Sequence, residues 1–193
     1  VTGATAASLS VTGGITAPID YRYIVTCTIS NLSDTSGVTA VSLNSPALCL
    51  CTPIYTSGCS IGSTINSVVT TNGNININNP NSGCASASGG TLGYTDYSAT
   101  HTLQAVQGTT FDINVGISNY SGYPKVWIDY NQNGVFETSE IVAESLTLIS
   151  TGSSLTAQVT IPITALPGST RMRVRTVEST SSFDACNSQT YGE

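Results

Sequence analysis

The feature that most constrains this chain is a two-residue alternation of apolar and polar side chains. Phe111, Ile113, Val115 and Ile117 alternate with Asp112, Asn114, Gly116 and Ser118. Leu155, Ala157, Val159 and Ile161 alternate with Thr156, Gln158 and Thr160, and Met172, Val174 and Thr176 alternate with Arg171, Arg173 and Arg175. Tyr21, Tyr23, Val25 and Cys27 repeat the pattern near the N-terminus. Successive strand side chains point to opposite faces, so each run reads as a strand with one buried and one wet face. Asn72-Gly73 predicts a two-residue hairpin turn, and further turn signals fall at 88–90, 120–123 and Pro167-Gly168. No run carries the period of an amphipathic helix. The expectation is an all-β fold, an antiparallel β-sandwich or jelly roll.

Composition narrows the setting. Charged residues are only 8% of the 193, so Ser, Thr, Asn and Gln must build the wet surface, as in extracellular β-proteins. The net charge of -6 with 5 Lys+Arg excludes the dense basic surface that nucleic acid or an anionic membrane requires. No apolar stretch approaches the ~20 residues of a membrane-spanning helix. Val1 is not an initiator Met, so the chain reads as a mature product or a fragment. Six cysteines without paired CxxC spacing point to disulfides and an oxidising compartment. Two parts are expected: an N-terminal β segment over 1–48, either a partial immunoglobulin-like domain or strands completing a neighbour, and one compact β-domain over 49–193.

The sharpest chemical signal runs from Asp129 to Glu140. It fits D-x-[DN]-x-[DN]-G-x5-E at every fixed position. A calcium ion takes about six to eight oxygens. Asp129, Asn131 and Asn133 offer side-chain oxygens, Val135 a carbonyl, Glu137 a direct or water-bridged oxygen, and Glu140 a bidentate carboxylate, while Gly134 permits the turn. The flanks read as strands, so this would be an EF-type loop on a β scaffold that pins a long connection. The alternative is a polar Asn-Gly turn with no ion.

Several motifs then follow in order: Cys51-Thr-Pro-Ile-Tyr-Thr-Ser-Gly-Cys59, Gly83-Cys84, Gly93-Tyr-Thr-Asp-Tyr-Ser98, Val126-Trp-Ile-Asp-Tyr-Asn131, Thr170-Arg-Met-Arg-Val-Arg175 and Tyr191-Gly-Glu193. Over about residues 50–193 the chain resembles the GEVED domain, a β-rich accessory module of secreted and cell-surface proteins, mainly of Bacteroidetes. The resemblance implies a non-catalytic role and no defined ligand. The family signature continues beyond Gly-Glu into a final strand absent here, so an unpaired sheet edge is expected. Disulfides Cys59–Cys84, Cys51–Cys186 and Cys27–Cys49 are the expected set, which a free Cys27 would break.

Arg171, Arg173 and Arg175 share a strand face. This reads either as a site for carboxylates or as a wet face paired to Glu178 or Asp96, and the wet face is the expectation. Tyr94, Tyr97, Tyr120, Tyr123 and Trp127 read as a sugar-stacking platform or as packing, with packing expected. His101, the only histidine, is expected on a strand surface, with no nucleophile motif beside it. The expected function is therefore a calcium-braced structural or adhesion module of an extracellular, cell-surface protein or filament, not an enzyme. Its expected partners are other surface proteins, glycans or copies of itself through strand addition. A carbohydrate-binding accessory module of a secreted hydrolase is the alternative.

Overall fold

A computed structural model describes residues 17–42, 49–59, 62–84 and 92–193. The chain divides into two compact units, Val1–Ser45 and Pro46–Glu193. In the first, β1 (Ile19–Tyr21) pairs antiparallel with β4 (Thr39–Val41), and β2 (Ile24–Thr26) with β3 (Ser33–Thr35). Arg22 and Tyr23 separate β1 from β2, so the expected continuous strand through Cys27 is two short ones. Among the described residues of this unit none is buried, and Ile24, Val25, Ile29 and Leu32 are exposed. Two-stranded ribbons of this kind are marginal in water without a packed face.

The second unit is built from β5 (Tyr55–Gly58), β6 (Thr64–Thr71), β7 (Asn78–Asn79), β8 (Thr110–Ser118), β9 (Tyr123–Ile128), β10 (Ile141–Glu144), β11 (Ser154–Thr160), β12 (Met172–Val177) and β13 (Gln189–Tyr191). One antiparallel sheet has the order β11-β8-β6-β7 and a second the order β10-β9-β12. Their facing sides share one core. Phe111, Ile113, Val115 and Ile117 from β8, Leu155 and Val159 from β11, and Ile65 and Val68 from β6 pack with Val126, Ile128 and Ala143 from the other sheet. The all-β expectation holds as two packed antiparallel sheets. Among the described residues neither sheet closes.

The hairpin at Asn72 is wider than the two-residue turn expected. Asn72 takes the left-handed backbone (φ 66), but β7 pairs with Val68 and Val69, leaving 72–77 as the connection. Residues Asn74 and Ile75 are drawn aside to bond Gln104, and Asn76 closes the turn onto Gly73. A parallel pair, β13 with β5, was not anticipated.

Candidate functional site

The loop from Asp129 to Glu140 leaves the end of β9 and returns through a 3-10 turn, Thr138–Glu140, into β10. Asp129 is fully buried, and its carboxylate accepts N–H groups from Asn133 (3.2 Å) and Gly134 (3.1 Å). Gly134 sits at φ 80, the left-handed turn the motif requires. Glu140 is also buried and accepts from Tyr130 (2.8 Å), Asn131 (3.3 Å) and Glu137 (3.2 Å) backbone N–H groups. Burial raises its pKa, and the nearby Glu137 and Asp129 charges add to that. Glu137 receives the side-chain amides of Asn133 (2.6 Å) and Asn131 (2.8 Å), and the Asn133 bond is the first cause of its lowered pKa. Asn131 and Asn133 Oδ1 accept from Asn133 and Val135 N–H. All six expected positions therefore lie in one loop, five of them with side chains in its hydrogen-bond network. In this arrangement the oxygens are spent on loop N–H groups. Among the described residues no three acidic, His or Cys side chains gather as a metal group.

Trp127, Lys125, Arg173 and Arg175 lie on the side of the β10-β9-β12 sheet facing away from the main core. This side is covered, not wet. Trp127 is 1% exposed, Arg175 1%, Arg173 7% and Lys125 6%. The cover is an irregular segment around 181–187, together with Tyr55 and Phe136. Arg175 donates from Nε to the Tyr55 hydroxyl (2.7 Å), and from its other nitrogens to the Asp184 and Asn187 carbonyls and to Asn187 Oδ1. Its guanidinium stands 5.0 Å from the Tyr55 ring and 5.4 Å from that of Phe183. Arg173 donates to the carbonyls of Ala185 (2.8 Å) and Cys51 (2.5 Å) and lies 4.7 Å from the Phe136 ring. Burial lowers its pKa first. Lys125 meets Glu144 at 3.0 Å and the carbonyls of Ser181 and Phe183.

The expected wet arginine face is thus overturned for Arg173 and Arg175: backbone carbonyls and aromatic faces replace water. Glu178 does not pair with them, and its Oε2 has no hydrogen-bond partner. Arg171 stays near Asp96, adding the smallest of the pKa-lowering effects on its carboxyl, whose main cause is hydrogen bonding from Ser98. Trp127 is packed, as expected. His101 follows the turn at 98–100 rather than lying on a strand, with its ring edge-on to Tyr97.

Cys51–Cys186 and Cys59–Cys84 form. Cys27–Cys49 does not: both are free and exposed, and they belong to different units. The Ser30 hydroxyl lowers the Cys27 thiol to about 7.

A groove of about 1180 Å³ runs along β12, lined among others by Ile77, Leu103, Tyr130, Ile161 and Val174. At its head, Thr176 and Glu193 exchange backbone bonds of 2.8 and 3.1 Å. Gly192 passes so close that an added Cβ would lie 2.2 Å from the Thr176 carbonyl, so only glycine fits. The Glu193 carboxylate turns inward to accept the Ile65 N–H (2.9 Å), and burial pushes its pKa up to about 8.

No curated protein and no solved structure matches this chain. The stretch that carries β9, the Asp129–Glu140 loop, the buried arginines and the Gly192-Glu193 closure does match a family model. The match is to the GEVED domain, over residues 123–193.

Proposed function

We propose that this chain is a non-catalytic structural and adhesion module of an extracellular protein, with its long connection braced by calcium at Asp129–Glu140. The observation that carries the reading is how the end of the unit is tied down. One bridge joins Cys51 to Cys186 across a separation of 135 residues, and two buried arginines hold the carbonyls of Asp184, Ala185 and Asn187 around it. A fold so fastened resists local opening, which is what a protease-exposed, load-bearing module needs. The two disulfides, and the lack among the described residues of a helix long and apolar enough to cross a membrane, fit secretion.

For the ion, support comes from the spacing of Asp129, Asn131, Asn133, Glu137 and Glu140 and from their position in one network. A cation would take over oxygens now held by side-chain amides and loop N–H groups. Extracellular calcium modules bind with Kd of about 10⁻⁴–10⁻³ M. At ~10 mM calcium, linkage then gives roughly 1.5–3 kcal/mol of stability. The test is denaturant unfolding and limited proteolysis in calcium, magnesium and chelator. Calcium-specific stabilisation lost in Asp129→Asn supports the brace, and identical curves in all three buffers remove it.

A second reading, a carbohydrate-binding accessory module, draws on Tyr94 and Tyr97, which line the groove. Burial of Trp127 takes the strongest stacking ring out of that surface. Glycan-array binding abolished by Tyr97→Ala would favour it.

A further inference from the structure

We propose that Cys49, Cys51 and Cys186 form a thiol–disulfide exchange site, in which the Cys49 thiolate attacks Cys186 and Cys51 departs as a thiolate against Arg173. Such exchange goes beyond the structural-module reading and does not depend on it. Its first ground is the unequal setting of the two bridged sulfurs. Cys186 is exposed and Cys51 half-buried. Arg173 Nη1 stands 2.9 Å from Cys51 Sγ and 3.9 Å from Cys186 Sγ. A guanidinium beside a sulfur favours its thiolate, and a disulfide opens faster when the departing sulfur is the better thiolate. The bridge is therefore polarised. The sulfur on the solvent side is the one to be attacked, and the sulfur on the cation side is the one to leave.

The second ground is the charge of Arg173. This buried side chain has as its partners the carbonyls of Cys51 and Ala185, the two sulfurs, and the rings of Tyr94 and Phe136. No carboxylate is among them. The carbonyl bonds explain how Arg173 holds the cover, but they leave its charge unanswered. A buried cation without a counter-charge is costly. A thiolate on Cys51 would supply that charge at 2.9 Å.

The nucleophile is at hand. Cys49 is a free, exposed thiol two residues ahead of Cys51. Two residues span at most ~7 Å. The Cα atoms of Cys51 and Cys186 lie 5.7 Å apart, and a bridge needs a Cα separation of about 4.4–6.8 Å. Cys49 and Leu50 carry no backbone hydrogen bond among the described residues, and β5 begins only at Tyr55. The arm ahead of buried Pro53 can thus turn Cys49 toward Cys186 without opening a ladder, and only half-buried Leu50 must shift.

The step balances within the chain. Cys49 gives its proton to solvent, and its sulfur bonds Cys186 Sγ as the Cys51–Cys186 bond breaks. The electron pair stays on Cys51 Sγ, beside the guanidinium. One disulfide and one free sulfur stand on each side, so no oxidant or reductant is consumed. The cover stays tethered in either state, and a bridge opened at Cys186 by an outside thiol can be resealed by the chain's own sulfur.

The test uses the full chain without reductant, together with Cys27→Ser, which leaves Cys49 as the single free thiol. After native incubation at about pH 8, where thiolate is present, free thiols are alkylated and the bridges mapped by peptide mass spectrometry. The label should be shared between Cys49 and Cys51, with a Cys49–Cys186 peptide beside the Cys51–Cys186 one. Adding Cys49→Ser should leave Cys51 unlabelled, because the attacking sulfur is gone. Alkylation at timed intervals gives the exchange rate. Arg173→Gln should lower that rate roughly tenfold, and Arg173→Lys should recover part of it. A label confined to Cys49 overturns the proposal. So does a Cys27–Cys49 bridge in the native wild type, which removes the attacking thiol, and so does Cys51 label that persists in Cys49→Ser. An exchange rate indifferent to Arg173→Gln overturns the role of the guanidinium. Should Arg173→Gln not fold, Cys49→Ser, a change at an exposed position, still decides whether exchange occurs.

Discussion

The two faces of the β10-β9-β12 sheet are both buried, by opposite means. The inner face puts Val126, Ile128 and Ala143 against the second sheet, strand against strand. The outer face puts Trp127 and three cations against a segment with no regular structure, and carbonyls close the account of their hydrogen bonds. An irregular segment cannot satisfy its own carbonyls by a ladder. Arginine supplies what the ladder would, since five donors on a planar fork reach several carbonyls at once while the stem and rings exclude water. A covering layer can therefore be charged on one side and irregular on the other and still be dry.

The largest break in this comparison is expected from Cys51→Ser with Cys186→Ser. The bridge anchors the cover at its far end, and Arg173 bonds both the Cys51 and Ala185 carbonyls beside it. A closed loop of this length is worth about 4–5 kcal/mol in the chain-entropy model. Denaturant unfolding should show a loss of that order, and protease cutting should begin within 178–188. If cutting instead begins in the β8–β11 sheet, the cover is held by something other than the bridge.

Next comes Arg175→Ala, with an expected loss of about 3–4 kcal/mol. The Tyr55 hydroxyl and the Asp184 and Asn187 carbonyls lose their donor, and two rings lose a packed stem. Arg175→Lys should recover only part, because an ammonium cannot reproduce the fork. An exposed arginine would cost no more than about 0.5 kcal/mol. A result in that range would restore the wet-face reading.

How far the two faces were legible differs for a physical reason. Alternation marks which residues share a face, and for β8, β11 and β12 it placed Phe111, Val159 and Val174 correctly. It says nothing of what covers the opposite side. Arg173 and Arg175 looked wet because their partners, the carbonyls of 184–187 and Cys51, belong to segments without period or propensity. That Asp129, Asn131, Asn133, Glu137 and Glu140 share one loop was legible because their spacing is local. The same locality failed at Asn72-Gly73, where Gln104 pulls the chain out of the turn. The parallel β5-β13 pair is set by the bridge from Cys51 to Cys186 and by Gly192, all far apart in sequence.

Glu193 sharpens the comparison from the other side, as a buried carboxyl with one donor instead of several. Desolvation outweighs the Ile65 N–H and raises its pKa from 4.5 to about 8. The folded chain then holds a proton that the unfolded chain releases. Its contribution is complete below about pH 4.5 and is lost as pH rises toward 8. Glu193→Gln should leave stability near pH 4 unchanged and raise it by about 3 kcal/mol near pH 7. Parallel pH–stability curves for the two proteins would mean that the carboxylate is solvated.

The smallest effect should come from Lys125→Met, and it separates the cations from one another. The Lys125 ammonium makes one ion pair with the half-exposed Glu144 and two long contacts of 3.3 Å to carbonyls, and stands 4.8 Å from the Phe183 ring. Methionine keeps the stem's packing and a sulfur against the same rings. Glu144 reaches solvent, so it is not left as a buried unpaired charge, and the change should stay within about 1 kcal/mol. Such a result beside a large Arg175 effect would assign the hold on the cover to the forked donors, with Lys125 serving as fill. A Lys125→Met loss as large as that of Arg175→Ala would make charge itself, rather than the geometry of the donors, the agent that keeps the outer face closed.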